Sequence, residues 1–145
     1  NCFGPKMLLT DKRVIPDFMS CVLDDKNIGL LSDGKASRTF CYVTDNVRPH
    51  LELLLSDSTA GEIFNIGNDS PEITVSELAE RVIAASGKNL GVVFATSTDK
   101  DYTTDNPERR CPDISKLNKY FSWRPQVGLD EGLRRTYLWH QGRKK

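Results

Sequence analysis

The sequence alternates stretches in which apolar residues recur at helical spacing with shorter apolar runs of strand length. Helical spacing predicts five helices, at 13–23, 46–57, 75–86, 114–121 and 129–140. Runs rich in β-branched and aromatic residues predict four strands, at 28–31, 38–43, 61–68 and 91–95. Elements that alternate in this order pack as an α/β or α+β domain.

Capping signals define several of the helix ends. Thr74 and Glu77 form a T-x-x-E capping box, and Gly87 supplies the C-terminal stop of the same helix. Asp45 is expected to be the N-cap of the second helix, and Asp113 that of the fourth.

Length and charge exclude several classes of protein. A chain of 145 residues can bury one hydrophobic core, and we expect a single domain over 1–145. The formal net charge is +0, which gives no electrostatic basis for binding nucleic acid or a membrane surface. No apolar run approaches the roughly 20 residues of a membrane-spanning helix. The opening residues "NCFGPKM" are typical of a turn within a protein, so we expect the chain to be a piece of a longer one.

Neither a metal site nor a histidine-based catalytic site is predicted. The cysteines are widely spaced, without a Cys-x-x-Cys pair or a neighbouring histidine, so zinc binding is not expected. Free thiols in a reducing cytosol are the expected state of Cys2, Cys21, Cys41 and Cys111. His50 and His140 lie on predicted helices with no obvious Ser or Cys partner, and a core or surface role is expected for both.

Three arginines are candidate anion ligands. Arg38 follows a turn at the start of a predicted strand, and Arg109 and Arg110 end the long polar loop 96–112. The planar guanidinium group suits phosphate and carboxylate. Alternatively, the three side chains are exposed and loosely paired with neighbours such as Glu108. Spacing alone leaves both interpretations open.

Four segments together resemble a known family. They are "NCFGPKMLLTDKRVIPDF", "DGKASRTFCYVTD", "GEIFNIGNDSPEITVSELAE" and "NPERRCPDISKLNKYFSWRPQVGLDEGLRRT". In order and spacing they resemble the extended short-chain dehydrogenase/reductases, the NAD-dependent epimerase/dehydratase family that acts on nucleotide sugars. The "DKRVIPDF" and "RRCPD" versions are most similar to those of UDP-glucuronate decarboxylases.

The resemblance implies a two-domain enzyme. In that family NAD is bound by an N-terminal Rossmann domain, which also carries a Tyr-x-x-x-Lys pair, and UDP-glucuronate is oxidised at its 4-position and then decarboxylated. This chain contains neither the glycine-rich cofactor loop nor a Tyr-x-x-x-Lys pair. The resemblance therefore implies a C-terminal substrate-binding domain that binds a UDP-sugar, holds no cofactor or metal and is inactive alone. It also implies a cytoplasmic, homodimeric parent.

Two segments are expected to lean on the Rossmann domain in the longer protein. They are the "FNIGN" segment and the helix after Asp45. The isolated chain is therefore expected to expose an apolar patch and to associate with itself.

The resemblance also implies roles for residues at the diphosphate. Asn1 matches an asparagine that contacts the diphosphate, and Arg38 matches an arginine that grips it. Arg13 and Val14 match the helix start that lines the nucleotide site.

Other matched residues concern the sugar and the nucleobase. Arg110 matches an arginine near the sugar and is the implied catalytic residue, where electrostatic stabilisation of the carboxylate or enolate suits it. Arg109 is then the surface member of the pair. Leu31 replaces an aromatic residue that covers the nucleobase in many relatives, and Thr74 matches a position near the nucleotide.

Three alternatives stay open. One is a C-terminal domain of a nucleotide-sugar 4-epimerase or 4,6-dehydratase, although those relatives place their arginine earlier in the loop, near Thr103. The second is a non-catalytic nucleotide-sugar binding module. The third is a structural fragment without a ligand.

Overall fold

The computed structural model describes residues 1–94 and 107–143, which contain five α-helices and seven short strands. The helices are α1 Val14–Leu23, α2 Val43–Leu54, α3 Val75–Ser86, α4 Ser115–Tyr120 and α5 Leu129–Gln141. The strands are β1 Cys2–Phe3, β2 Ile28–Leu30, β3 Ser37–Arg38, β4 Cys41–Tyr42, β5 Ile73–Thr74, β6 Val92–Phe94 and β7 Arg109–Arg110. A 3₁₀ turn, Asp57–Thr59, follows α2.

The described strands form three small sheets. Strands β1 and β4 pair in parallel, and so do β2 and β6. In the third sheet β3 is central, antiparallel to β5 and parallel to β7. The third sheet therefore brings two arginines that are far apart in sequence, Arg38 and Arg110, into register.

The main core lies where α3 packs against α1 and α5. Met19 and Val22 of α1, Leu78 and Val82 of α3 and Leu133 of α5 are completely buried there. A smaller second cluster joins Ile114, Leu117 and Trp123 to Phe64, Ile66 and Phe121. Burial of these apolar side chains is the main stabilising contribution to the fold.

Helix α3 forms as its local signals predict. The Thr74 hydroxyl accepts the Glu77 N–H at 3.1 Å, and the Glu77 carboxylate accepts the Thr74 N–H at 2.7 Å. Gly87 follows the helix with φ of 68°, the left-handed conformation that glycine adopts without strain. The capping box and the helix end are both confirmed.

The predicted N-cap role of Asp45 is wrong. Helix α2 begins at Val43, with Tyr42 as its N-cap residue. The buried Asp45 carboxylate instead accepts the N–H groups of Gln126 at 3.0 Å and Val127 at 2.8 Å. Its bonds are tertiary, and they hold the segment that leads into α5.

The predicted strand 38–43 is divided in the structure. Ser37–Arg38 belongs to the third sheet and Cys41–Tyr42 pairs with β1, while Val43 starts α2. The break has a physical cause, because the Thr39 N–H bonds to β7 whereas the Cys41 N–H bonds to the carbonyl of Asn1, directly before β1.

The predicted strand 61–68 is absent from the described structure. Side chains replace a strand ladder there, since Asn65 donates to the Asp113 carbonyl and Lys116 to the Ile63 carbonyl. Apolar side chains of this segment pack into the second cluster.

The remaining boundaries shift by small amounts. Asp113 accepts the Ser115 N–H at 2.8 Å just ahead of α4, but the helix begins at Ser115 with Ile114 as its N-cap. Residues 109–110 form strand β7 instead of loop, and residues 95–106 lie outside the described residues.

Candidate functional site

A cavity of about 390 Å³ lies at the N-terminal end of α1. Its wall is built by β1, the first turn of α1, the end of β2, and strands β3 and β7 of the third sheet. Six of the seven predicted site residues line it, namely Asn1, Arg13, Val14, Leu31, Arg38 and Arg110. Folding thus gathers side chains from five separate parts of the sequence into one site.

Thr74 is the predicted site residue that does not line this cavity. Its hydroxyl accepts the Glu77 N–H and donates to the Glu77 carboxylate at 2.9 Å. The next residue, Val75, reaches the cavity wall. A nucleotide contact by Thr74 stays a prediction.

Arg38 combines a structural contact with a position on the cavity wall. Its side chain is buried, with 6% of the residue exposed. The guanidinium donates to the carbonyls of Ser37 at 2.6 Å and Glu108 at 3.2 Å, and to that of Pro107. These three bonds hold the guanidinium group at the cavity wall.

Arg109 and Arg110 have different roles in β7. Arg109 donates to the Glu72 carboxylate at 2.9 Å, and this bond, then one from Ser37, holds the pKa of Glu72 below its usual range. Arg110 lies on the cavity wall. The surface position expected for Arg109 is confirmed, because its side chain is two-thirds exposed.

Arg13 is the N-cap residue of α1 and is tied to its neighbours. Its Nε donates to the Asp11 carboxylate at 2.6 Å, and its Nη1 to the Cys2 carbonyl at 3.3 Å. Lys12 also lines the cavity, and sequence reasoning missed it. The signal that could have found it is a basic residue directly before a helix start.

One wall of the cavity is apolar. Phe3 and Phe40 are buried there, and the 43% exposed Leu31 follows β2. Sequence reasoning did not single out either phenylalanine as a site residue. A flat, weakly polar ring suits such a wall.

Cations outnumber carboxylates around the cavity. The described lining residues include four cationic side chains, those of Lys12, Arg13, Arg38 and Arg110, and one acidic side chain, that of Asp17. Burial, followed by the charge of Asp11, raises the pKa of Asp17, whereas Lys12 lowers it. The excess of positive charge favours an anionic ligand.

A second cavity, of about 230 Å³, adjoins the first. The two share Asn1, Cys2 and Arg110. Its wall also carries the amides of Asn46 and Asn68. The thiols of Cys41 and Cys111 also line it. Amides and thiols can bind a small polar group of a ligand.

The described residues contain no cluster of His, Cys, Asp or Glu able to hold a metal ion. All four cysteines are free thiols. Burial raises the pKa of the Cys41 thiol to about 12.

Among the described helices, none is long and apolar enough to cross a membrane.

Sequence comparison identifies relatives over nearly the whole chain. Residues 1–67 match the description "NAD dependent epimerase/dehydratase family". UDP-glucuronic acid decarboxylase 1 of Arabidopsis thaliana is 38% identical over 135 residues, which are 93% of this chain and 29% of that protein. UDP-glucuronic acid decarboxylase 6 of Arabidopsis thaliana is 37% identical over 133 residues, which are 92% of this chain and 36% of that protein. The chain thus spans roughly a third of the length of these curated relatives.

Structural comparison agrees with the sequence matches. The crystal structure of UDP-glucose 4-epimerase with UDP-glucose from Thermotoga maritima superposes with a TM-score of 0.85 at 25% identity. The match covers 100% of this chain and 45% of that one. The mixed α/β fold and the resemblance expected from the motifs are both confirmed.

Proposed function

We propose that this chain, a homologue of the NAD-dependent epimerase/dehydratase family, is the nucleotide-sugar binding part of a two-domain enzyme. Residues 1–145 are its C-terminal, substrate-binding domain in this proposal. The observation that carries it is the cavity in which four cationic side chains lie beside an apolar wall. The cations suit an anionic diphosphate, and the wall beside Leu31 suits a flat nucleobase.

The substrate that we propose is UDP-glucuronate, and the reaction is its decarboxylation. Two curated relatives that are more than a third identical carry the name UDP-glucuronic acid decarboxylase. The position of Arg110 supports the same substrate, because this arginine borders both cavities. With the diphosphate held at Arg38 and Asn1, the sugar carboxylate would lie within reach of Arg110.

The chemistry proposed for Arg110 is electrostatic. Once the 4-carbon of the sugar is a ketone, the carboxylate is β to a carbonyl group. The bond between the ring and the carboxylate carbon breaks, carbon dioxide leaves, and the electron pair moves to the 4-oxygen as an enolate. A guanidinium group beside this oxygen stabilises the developing negative charge without releasing a proton, since arginine side chains stay protonated in proteins.

The residues of this chain do not fit a dinucleotide. Its sequence lacks a glycine-rich phosphate loop and a Tyr-x-x-x-Lys pair, and the described strands form three separate sheets of two or three strands. We therefore assign NAD and the oxidation of the sugar to another domain. The chain alone binds substrate in this proposal and does not turn it over.

A 4-epimerase is the second candidate. The likeness to the Thermotoga maritima epimerase, which was crystallised with UDP-glucose, favours it over other reactions. The same diphosphate contacts would serve an epimerase, whereas a carboxylate contact at Arg110 would not be needed.

Product analysis of the longer enzyme separates the two candidates. With UDP-glucuronate as substrate, a decarboxylase releases carbon dioxide in proportion to the substrate consumed. Epimerisation leaves the carboxylate in place, and this outcome would contradict the proposed reaction.

Titration of the chain itself tests the substrate class. We expect UDP-glucuronate to bind more tightly than UDP-glucose. Equal affinity for the two would favour the epimerase.

The four free thiols are compatible with a reducing compartment such as the cytoplasm, which we propose as its location. The homodimer expected for the longer enzyme stays a prediction.

A further inference from the structure

The four cations of the first cavity are not equivalent. Arg13 is ion-paired with Asp11 at 2.6 Å, and Arg38 donates to three backbone carbonyls. Within the described part of the chain, the side chains of Lys12 and Arg110 line the cavity without a hydrogen bond or an ion pair to a protein group. A ligand that binds Arg13 must compete with the Asp11 carboxylate, whereas one that binds Lys12 displaces only water.

Lys12 is well placed for such a ligand. It directly precedes Arg13, and Val14 and Ile15 of the first helical turn line the same cavity. The N-terminal end of α1 carries partial positive charge, which adds to that of the ammonium group. A lysine side chain is a point charge on a flexible stem, so it can follow a phosphate without a fixed geometry.

We propose that Lys12 is a diphosphate-binding residue of this cavity, and that Lys12, not the ion-paired Arg13, supplies the charge at the α1 end of the site. The proposal rests on the proposed function, because it assumes a nucleoside diphosphate as ligand. Arg38 and Arg110 line the same cavity from strands β3 and β7. In this proposal the ligand contacts cations from both the α1 end and the third sheet.

Asp17 provides an opposing charge on the same wall. Its carboxylate also lines the cavity, and its charge interacts with that of Lys12 without forming an ion pair among the described residues. If Lys12 contacts the diphosphate, the negative charge of Asp17 must weaken binding. Removal of the two charges should therefore have opposite effects on affinity.

Calorimetric titration of the whole chain with UDP and with UMP tests the proposal. Lys12→Met should weaken UDP binding about fivefold, the upper range for an exposed charge pair, and UMP binding less. Lys12→Arg should restore most of the affinity. Asp17→Asn should tighten UDP binding by about twofold or more.

Two control variants accompany these titrations. Lys119→Met removes an exposed lysine that does not line the cavity, and it should leave UDP binding unchanged. Arg13→Met should weaken UDP binding less than Lys12→Met does. Thermal unfolding of each variant checks that the fold is intact.

The outcomes separate this inference from the proposed function. If UDP binds the unsubstituted chain and Lys12→Met binds it equally well, the inference about Lys12 is overturned and the proposed function stands. If Lys119→Met lowers the affinity for UDP as much as Lys12→Met does, the inference is also overturned, because the effect then comes from the net charge of the chain. If the unsubstituted chain does not bind UDP, the proposed function fails and the Lys12 assignment with it.

Discussion

Arg38 and Arg110 are register partners on the parallel strands β3 and β7, and both line the same cavity. Their surroundings differ. Arg38 is buried and holds Pro107 and Glu108, the residues that lead into β7, through their carbonyls. The position of Arg110 therefore depends on Arg38, and a substitution at Arg38 should affect both ends of the site.

The first prediction concerns the structural part of this relationship. Arg38→Met removes the donor from three carbonyls, so we expect the free energy of unfolding to fall by about 1–3 kcal/mol. Urea denaturation measures the change. Arg48→Met, on the exposed surface of α2, is the control and should change stability much less. An Arg38 variant as stable as the unsubstituted chain would contradict the bonds described for Arg38.

The second prediction distinguishes the adjacent arginines of β7. Arg110→Met should weaken the binding of UDP-glucuronate more than that of UDP, because Arg110 is assigned to the sugar carboxylate. Arg109→Met is the matched control, since Arg109 pairs with Glu72 at the surface, and it should change neither affinity appreciably. Isothermal titration with both ligands measures the difference. Equal effects of the two variants would remove Arg110 from its assigned role.

Local sequence signals were sufficient to predict part of this structure. The capping box of Thr74 and Glu77 and the stop at Gly87 involve residues close in sequence, so the sequence contains the whole interaction. Asp45 carries the same kind of signal, but its partners lie about 80 residues away at Gln126 and Val127. An aspartate at a predicted helix start does not reveal which N–H groups will donate to its carboxylate.

The sequence also predicted only part of the candidate site. The resemblance to the family identified six residues that the structure brings to one cavity, although residue types and spacing alone left the arginines undecided. It could not reveal that Arg13 is paired with Asp11, or that Lys12 lies open on the cavity wall. Both facts depend on side-chain packing at the start of α1.

The third prediction is a pH dependence of stability that arises at His140. This residue is 8% exposed, and its Nε2 has no hydrogen-bond partner among the described residues. Burial, and then the charge of Arg143, lower the pKa of His140 below its ordinary value of 6.5. The unfolded chain therefore binds the proton more readily, so stability present above pH 6.5 should be lost as the pH falls through 6.5 towards the pKa of the folded state.

Urea denaturation between about pH 8 and pH 5 measures this dependence. His140→Phe keeps an aromatic ring against Trp139 and should flatten the stability profile in that range. His50→Gln, at an exposed position on α2, should leave the profile unchanged. If His140→Phe loses as much stability on acidification as the unsubstituted chain, another group is responsible.

The fourth prediction concerns the exposed apolar face of α2, the helix that was expected to lean on the Rossmann domain. Leu51 and Leu55 are 55% and 84% exposed and line an open groove of about 440 Å³. A second copy of the chain should cover this face in solution, because exposed apolar area of this kind favours association. Sedimentation equilibrium should show a dimer whose fraction rises with concentration.

Charge substitutions locate that contact. Leu51→Glu with Leu55→Glu should leave a monomer at every concentration. Leu8→Glu, at a separate leucine that is 72% exposed, should still associate. A compact monomer of the unsubstituted chain at high concentration would contradict the prediction.

The first cavity is proposed to bind a nucleoside diphosphate. Calorimetric titration of the unsubstituted chain with UDP at low ionic strength tests this binding directly. We predict one-to-one binding that Arg38→Met weakens by about tenfold or more, as expected for a lost charge-assisted contact. The absence of UDP binding, or binding that Arg38→Met leaves unchanged, would contradict the site described for this cavity.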